Sequence, residues 1–265
     1  MNLLMSALVK AFAPPFSAAE LGLFTRDGFV ICKGIAPAQL CERMAAVAQD
    51  HLARQVQPIE YEADVRYPGA PLSRQAEGGR TVRRLLQGCE RDPIFRKWAT
   101  SPLLALRLAQ LLAAEPMLSQ AHHNCVMTKD PRFSSRTGWH QDIRYWSFER
   151  PELVSVWLAL CPEYQDNGCL WVVPGSHATS LDRTRLDQAL FFREDVEDNR
   201  AVLERRAPVE LGPGDVLFFH CRLLHAAGWN RTVETKFSPV FTYHARNNLP
   251  LANTRSASVP SIELR

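Results

Sequence analysis

The 265-residue sequence contains no run approaching the ~18 consecutive apolar residues that a membrane-spanning helix requires, so a helical membrane protein is excluded. It also lacks an excess of one charge. Its 31 Lys and Arg stand against 28 Asp and Glu, a net +3 without any like-charge block, which is too dispersed to argue for nucleic acid. The densest basic cluster, Arg80, Arg83 and Arg84, reads as solvated surface. No C-x-x-C pair occurs among the cysteines at 32, 41, 89, 125, 161, 169 and 221. Their odd number and scatter exclude a disulfide framework and a zinc-thiolate site, and fit a reducing cytoplasm. Met1 to Pro15 lacks both a basic segment ahead of its apolar residues and a small-residue cleavage site, so no signal peptide is expected. There is no internal repeat and no low-complexity tract.

What is present is a soluble globular composition, with 46% hydrophobic and 22% charged residues, and the length suits one domain over 1–265. Residues 1–115 read as mostly helical support. Ser17 followed by Glu20 is a capping-box pattern, Gly28–Cys32 reads as a strand, and Pro37 opens a helix carrying Leu40, Met44, Val47 and Leu52 on one face. Gln55–Gly79 is polar, Pro-containing and read as a loop. Asp92-Pro93 starts a helix that runs to about Ala114 and is interrupted near Pro102. From residue 116 to 246 short apolar runs alternate with Gly, Pro, Asn and Asp, the pattern of an antiparallel sandwich or barrel. A charge-rich insertion spans 181–206, and 247–265 form a tail. The expected class is mainly β with flanking helices: a double-stranded β-helix, or jelly roll, of cupin-like form behind a helical N-terminal layer.

Within the β-rich half, His140-Gln141-Asp142 places an imidazole and a carboxylate two residues apart, which on a strand is one face. A distant histidine would complete a two-His-one-carboxylate facial triad, the ligand set that suits non-heme Fe(II) and leaves open positions for chemistry. His220 and His225 both compete for the third place, and their five-residue separation gives them opposite parity on an uninterrupted strand.

Six further motifs accompany this one in order: Trp157-Leu158-Ala159-Leu160, Asn167-Gly168-Cys169-Leu170, Pro174-Gly175-Ser176-His177, Gly214-Asp215, Leu224-His225 and Gly228-Trp229-Asn230-Arg231-Thr232. Together they resemble the phytanoyl-CoA dioxygenase family of Fe(II)/2-oxoglutarate oxygenases, from Gly28 to Tyr243. The resemblance implies His140, Asp142 and His225 as catalytic metal ligands, with Fe(II), 2-oxoglutarate and O2 as cofactor and co-substrates. The implied reaction hydroxylates an unactivated C–H of a small molecule, releasing succinate and CO2. It implies neither a nucleic-acid nor a membrane partner and leaves the oligomeric state open. Asp142 argues against the related halogenases, which replace that carboxylate with Gly or Ala.

One position departs from the family pattern. An arginine eleven residues after the distal histidine normally grips the far carboxylate of 2-oxoglutarate, and here that residue is Lys236. An ammonium supplies charge and donors but not the bidentate fork. Arg231 is the rival anchor, and Trp157 stands where the family places an aromatic near the co-substrate. Arg144, Tyr145 and Trp146, which follow the metal motif, are the candidate substrate-pocket residues, with Gln55–Gly79 and Leu181–Arg206 as a lid. Two other readings stay open: a metal-dependent hydrolase or isomerase on the same scaffold, and a non-catalytic ligand-binding module.

Overall fold

The computed structural model describes residues 15–264 apart from 66 and 68, so the expectation about Met1–Pro15 lies, but for Pro15, outside the described residues. The Ser17 hydroxyl accepts from the Glu20 amide at 3.3 Å and the Glu20 carboxylate accepts from the Ser17 amide at 2.8 Å. This reciprocal cap opens α1 (Ala18–Asp27), and left-handed Gly28 closes it. Strand β1 (Phe29–Cys32) and α2 (Ala38–Ala53) follow. Next come β2 (Ile59–Tyr61), the single turn α3 (Glu62–Val65), β3 (Val82–Leu86) and the short α4 (Gly88–Arg91). The stretch Asp92–Ala114 is two helices, α5 (Pro93–Ala99) and α6 (Pro102–Leu112). Each carries proline in its first turn, where no amide donor is required, and is capped by the side chain of Asp92 or Ser101.

The β-rich part comprises β4 (Pro116–Lys129), β5 (Thr137–His140), β6 (Leu153–Leu158), β7 (Leu170–Val172), β8 (Ala207–Val209), β9 (Val216–His220), β10 (His225–Ala227), β11 (Lys236–Ala245) and β12 (Ile262–Glu263), with helix α7 (Glu197–Leu203) inside the insertion. The strands form two antiparallel sheets. The larger runs β1-β9-β6-β11-β4-β3-β2, with β12 beside the start of β4, and the smaller runs β5-β10-β7-β8. This is the expected jelly roll.

Period-two alternation sorts the core. Val154, Val156, Leu158 and Phe218 face the helices, where Phe95, Leu104 and Leu108 cover them. Trp157, Leu217 and Phe219 face the other way and meet Leu170 and Val172 of the small sheet. The interior between the sheets is therefore where the inward ends of β5, β10 and β11 converge. No described helix is long and apolar enough to cross a membrane.

Three readings need correction. Gln55–Gly79 is not simply a loop, because β2 and α3 lie within it and pair the chain to β3. Of the cluster Arg80, Arg83 and Arg84 only Arg80 is exposed: Arg83 is 2% exposed, Arg84 is partly buried, and β3 hydrogen-bonds along β4. Asp142 does not share a strand face with His140, since β5 ends at His140 and Asp142 begins a 3-10 turn, Asp142–Tyr145.

Candidate active site

His140, the last residue of β5, lies directly across the ladder from His225, the first residue of β10, with ring centroids 4.2 Å apart. The 3-10 turn then brings the Asp142 carboxylate back toward both rings. Its Oδ1 is 3.6 Å from the Nε2 of each histidine. The turn is tied to the β9–β10 connection: Ile143 N donates to Cys221 O at 3.1 Å, and Gln141 Nε2 donates to Arg222 O at 2.6 Å. Among the described residues His140, Asp142 and His225 form the one group of His, Cys, Asp or Glu whose ligand atoms all lie within 4.8 Å of one another, and all three are buried. His220 stands apart at the end of β9, its Nδ1 accepting from Arg222 N at 3.1 Å and its ring 5.4 Å from that of His177.

Both imidazole rings of this group are preset. His140 Nδ1 donates to Gly138 O at 2.8 Å and His225 Nδ1 to Leu223 O at 2.9 Å, each two residues back along its own chain. The proton sits on Nδ1, so Nε2 presents its lone pair to the centre. Burial pushes His140 down to about 3, with the neighbouring His225 reinforcing it. Burial would raise Asp142, but His123, His225 and His140 together hold its carboxyl well below the usual carboxylate range. Asp142 Oδ2 is buried without a hydrogen-bond partner, a cost of several kcal/mol for a carboxylate unless a cation meets it. Two inward-facing imidazole Nε2 atoms, one ionised carboxylate and an orphaned carboxylate oxygen suit a divalent ion of the iron type.

An inner chamber runs from His140 and His225 into the space between the sheets, lined by Arg83, Arg84, Lys129, Trp157, Phe219 and Lys236 among others. Lys236, opposite Lys129 in the β4–β11 ladder, is fully engaged. Its Nζ donates to Glu163 Oε2 at 2.8 Å and lies 5.1 Å from the centre of the Trp157 ring. Trp157 Nε1 and Ser238 Oγ both donate to Glu163 Oε1, at 2.9 and 2.6 Å. Lys129 has no carboxylate partner among the described residues, and its Nζ donates only to Ser135 O at 2.9 Å. Burial, reinforced by Arg83, pushes it down to about 7. Arg231 is exposed and does not line the chamber.

Lys129, Glu163, Arg83 and His123 were missed by sequence reasoning. The signal available for Lys129 and His123 was alternation along β4, where 123, 125, 127 and 129 share a face. No local pattern marks Glu163.

An outer chamber meets the inner one at Arg84, His123 and His140 and also takes in Asp142, Arg144, Tyr145 and Trp146. The Arg144 guanidinium lies 4.0 Å from the Phe191 ring and 4.5 Å from Tyr145, and Nη1 donates to Leu190 O at 3.0 Å. The insertion thus reaches the site through Leu190 and Phe191, the latter 5.8 Å from the His140 ring.

Comparison with known proteins places this geometry. A family model described as phytanoyl-CoA dioxygenase (PhyH) matches residues 24–238. The probable phytanoyl-CoA dioxygenase of Caenorhabditis elegans is 25% identical over 227 residues, 82% of this chain and 71% of the relative. The human peroxisomal phytanoyl-CoA dioxygenase is 26% identical over 220 residues, 79% of this chain but 62% of its own length. The ectoine dioxygenase of Sphingopyxis alaskensis is 27% identical over 252 residues, 88% of this chain and 78% of the enzyme. Among solved structures, EctD from S. alaskensis with 2-oxoglutarate and 5-hydroxyectoine superposes with a TM-score of 0.77 at 21% identity, covering 96% of this chain and 88% of that one. The epimerase SnoN, in complex with Fe3+, alpha-ketoglutarate and nogalamycin RO, gives 0.70 at 19%, covering 93% and 94%. At these identities the structural likenesses establish the fold.

Proposed function

Because the chain belongs to the phytanoyl-CoA dioxygenase family, we propose that it is an Fe(II)- and 2-oxoglutarate-dependent dioxygenase that hydroxylates a C–H bond of a small-molecule substrate. The observation that carries the reading is the convergence of two tautomer-locked imidazoles and one carboxylate within 4.8 Å, opening on two chambers. His140 Nε2, Asp142 and His225 Nε2 would hold the iron. When bound, iron with 2-oxoglutarate and O2 supplies the oxidising power, and succinate and CO2 are released.

The chain's own groups do the rest. Gly138 O and Leu223 O hold each imidazole in place and aim its Nε2 at the centre. The inner chamber takes the co-substrate. Lys129 supplies the uncompensated positive charge for its far carboxylate, while Lys236 adds a donor whose own charge Glu163 offsets. Trp157 acts by steadying Glu163 and closing one wall. Phe219 and Leu170 keep the chamber apolar between those polar ends, which strengthens every ionic contact inside it. Arg144, Tyr145 and Trp146 border the outer chamber, where the substrate enters.

Hydroxylation is the finer part of the proposal, since the same fold houses the epimerase SnoN and the carbocyclase SnoK. Asp142 at the centre favours hydroxyl transfer over halide transfer. Anaerobic addition of Fe(II) and 2-oxoglutarate to the purified protein will produce a weak visible charge-transfer band, lost in His140→Ala and His225→Ala. Fe(II) bound without the band would sink the oxygenase reading. Mass analysis of the product separates hydroxylation from other oxidations.

A further inference from the structure

The outer chamber carries an imbalance that the metal centre does not explain. Of the nine buried side-chain atoms without a hydrogen-bond partner among the described residues, five belong to residues lining it: Glu60 Oε1, Arg84 Nε, His123 Nδ1, Asp142 Oδ2 and Arg144 Nε. Buried polar atoms are normally satisfied, so their concentration in one pocket marks a place where a polar ligand belongs. Asp142 Oδ2 faces the metal site and lies 3.6 Å from His123 Nδ1, so these two atoms belong with that centre and leave Glu60, Arg84 and Arg144. The remaining charges do not cancel. Three arginines, Arg84, Arg144 and Arg255, line the chamber with one other carboxylate, Glu60. Glu60 is already taken, with Oε2 3.2 Å from Arg84 Nη1 and Oε1 3.9 Å from Arg83 Nε. Neither Arg144 nor Arg255 has a carboxylate within 4.0 Å among the described residues, and Arg144 spends Nη1 on the backbone of Leu190.

Resting on the oxygenase reading of the site, we propose that the substrate is an anion, a small molecule whose carboxylate or phosphate group is received by Arg84, Arg144 and Arg255 in the outer chamber. Guanidinium forks bind both oxyanions through paired charge-assisted hydrogen bonds, and a partly desolvated site makes those bonds strong. The wall residues Trp146 and Tyr145 flank the arginines and suit the carbon skeleton of such a molecule. The anionic group is thereby held to one side, leaving the skeleton to reach toward His140 and Asp142.

Calorimetric titration of the full chain with phenyl phosphate, benzoate, benzamide and benzylamine tests this, with 2-oxoglutarate present to occupy the inner chamber. Phenyl phosphate and benzoate will bind, and their relative affinity ranks phosphate against carboxylate. Benzamide and benzylamine will not. Arg84→Gln and Arg255→Gln will each raise the dissociation constant of the better anion at least tenfold, while Arg43→Gln, at an exposed arginine that lines neither chamber, will leave it unchanged. Arg255 is exposed, so its variant keeps the test alive if Arg84→Gln misfolds. The proposal is overturned if no anion binds, if benzamide or benzylamine binds as well, if both Arg84→Gln and Arg255→Gln bind normally, or if Arg43→Gln weakens binding as much as they do. Anion binding without the iron charge-transfer band would remove the oxygenase reading and leave this chamber standing. A band without anion binding would do the reverse.

Discussion

Two buried lysines face each other across the β4–β11 ladder, and only one of them has a counter-ion. Removing each should therefore have opposite consequences. Lys236→Met strands Glu163 in the interior and is expected to cost about 3–5 kcal/mol of stability, seen as a large drop in melting temperature. Lys129→Met deletes an uncompensated buried charge and loses one hydrogen bond to Ser135, so thermal stability without ligand will hold or rise. Its defect will show in calorimetry as weakened 2-oxoglutarate binding, at least tenfold. A Lys129→Met protein that melts much earlier yet binds 2-oxoglutarate normally would exclude the anchoring role.

The pH profile follows from the same residue. Burial first, then Arg83, pushes free Lys129 down to about 7, so it is charged below that pH and increasingly neutral above it. An anion favours the charged form. Affinity for 2-oxoglutarate is thus expected to fall as pH rises above about 7, measured as Kd against pH, and to flatten in Lys129→Met.

At the scale of elements, the metal centre depends on how a strand ends. β5 stops at His140, and the 3-10 turn that follows is pinned by Gln141 and Ile143 to the β9–β10 connection. Gln141→Ala removes one pin without touching a ligand atom, and is expected to weaken Fe(II) binding about tenfold, the scale for supporting contacts around metals. Metal titration checks it, and unchanged affinity would show that the remaining pins suffice. Gly168, ahead of β7, has a left-handed φ of 73°, and a Cβ there would sit 2.8 Å from Gly228 O and 3.1 Å from Lys129 Cε. Gly168→Ala will lower the melting temperature and weaken 2-oxoglutarate binding together, because strain and displacement of Lys129 share one cause.

How far these features were legible in the sequence depends on how local their cause is. Caps and alternation are local, so the helices at Ser17 and Asp92, the interruption near Pro102 and most strands of the jelly roll could be read directly. β2 has three residues, too few for a pattern, and is held by pairing with β3, so it vanished into an apparent loop. Arg83 read as surface because its partner Glu62 lies in that apparent loop. His140 and Asp142 stood out by residue type and spacing, whereas only the family resemblance separated His225 from His220, and the turn that presents Asp142 did not show at all. Lys129 ends an apolar strand, where lysine usually reaches solvent, and only the opposing sheet encloses it.

For the whole molecule, acid is the vulnerable side. His122 is pushed down to about 3 and His220 to about 4, both chiefly by burial, whereas the unfolded chain protonates such residues near 6.5. Between those values the unfolded state binds more protons, so stability falls as pH drops from about 6.5 toward 4. The slope is up to about 1.4 kcal/mol per pH unit for each histidine. Chemical denaturation across that range checks the slope, and His220→Asn will reduce it by one histidine's share. A flat profile would show that these rings take up protons in the folded chain.

The backbone bonds that orient the two ligand rings also leave a proton on each that solvent does not reach. Buried, hydrogen-bonded protons exchange slowly. The complex with diamagnetic Zn(II) should therefore show sharp imidazole N–H resonances from His140 and His225, beside that of the likewise buried and carbonyl-bonded His244, while imidazoles open to water lose theirs to exchange. Magnetic resonance could then follow occupancy of the centre through two atoms that lie just behind it.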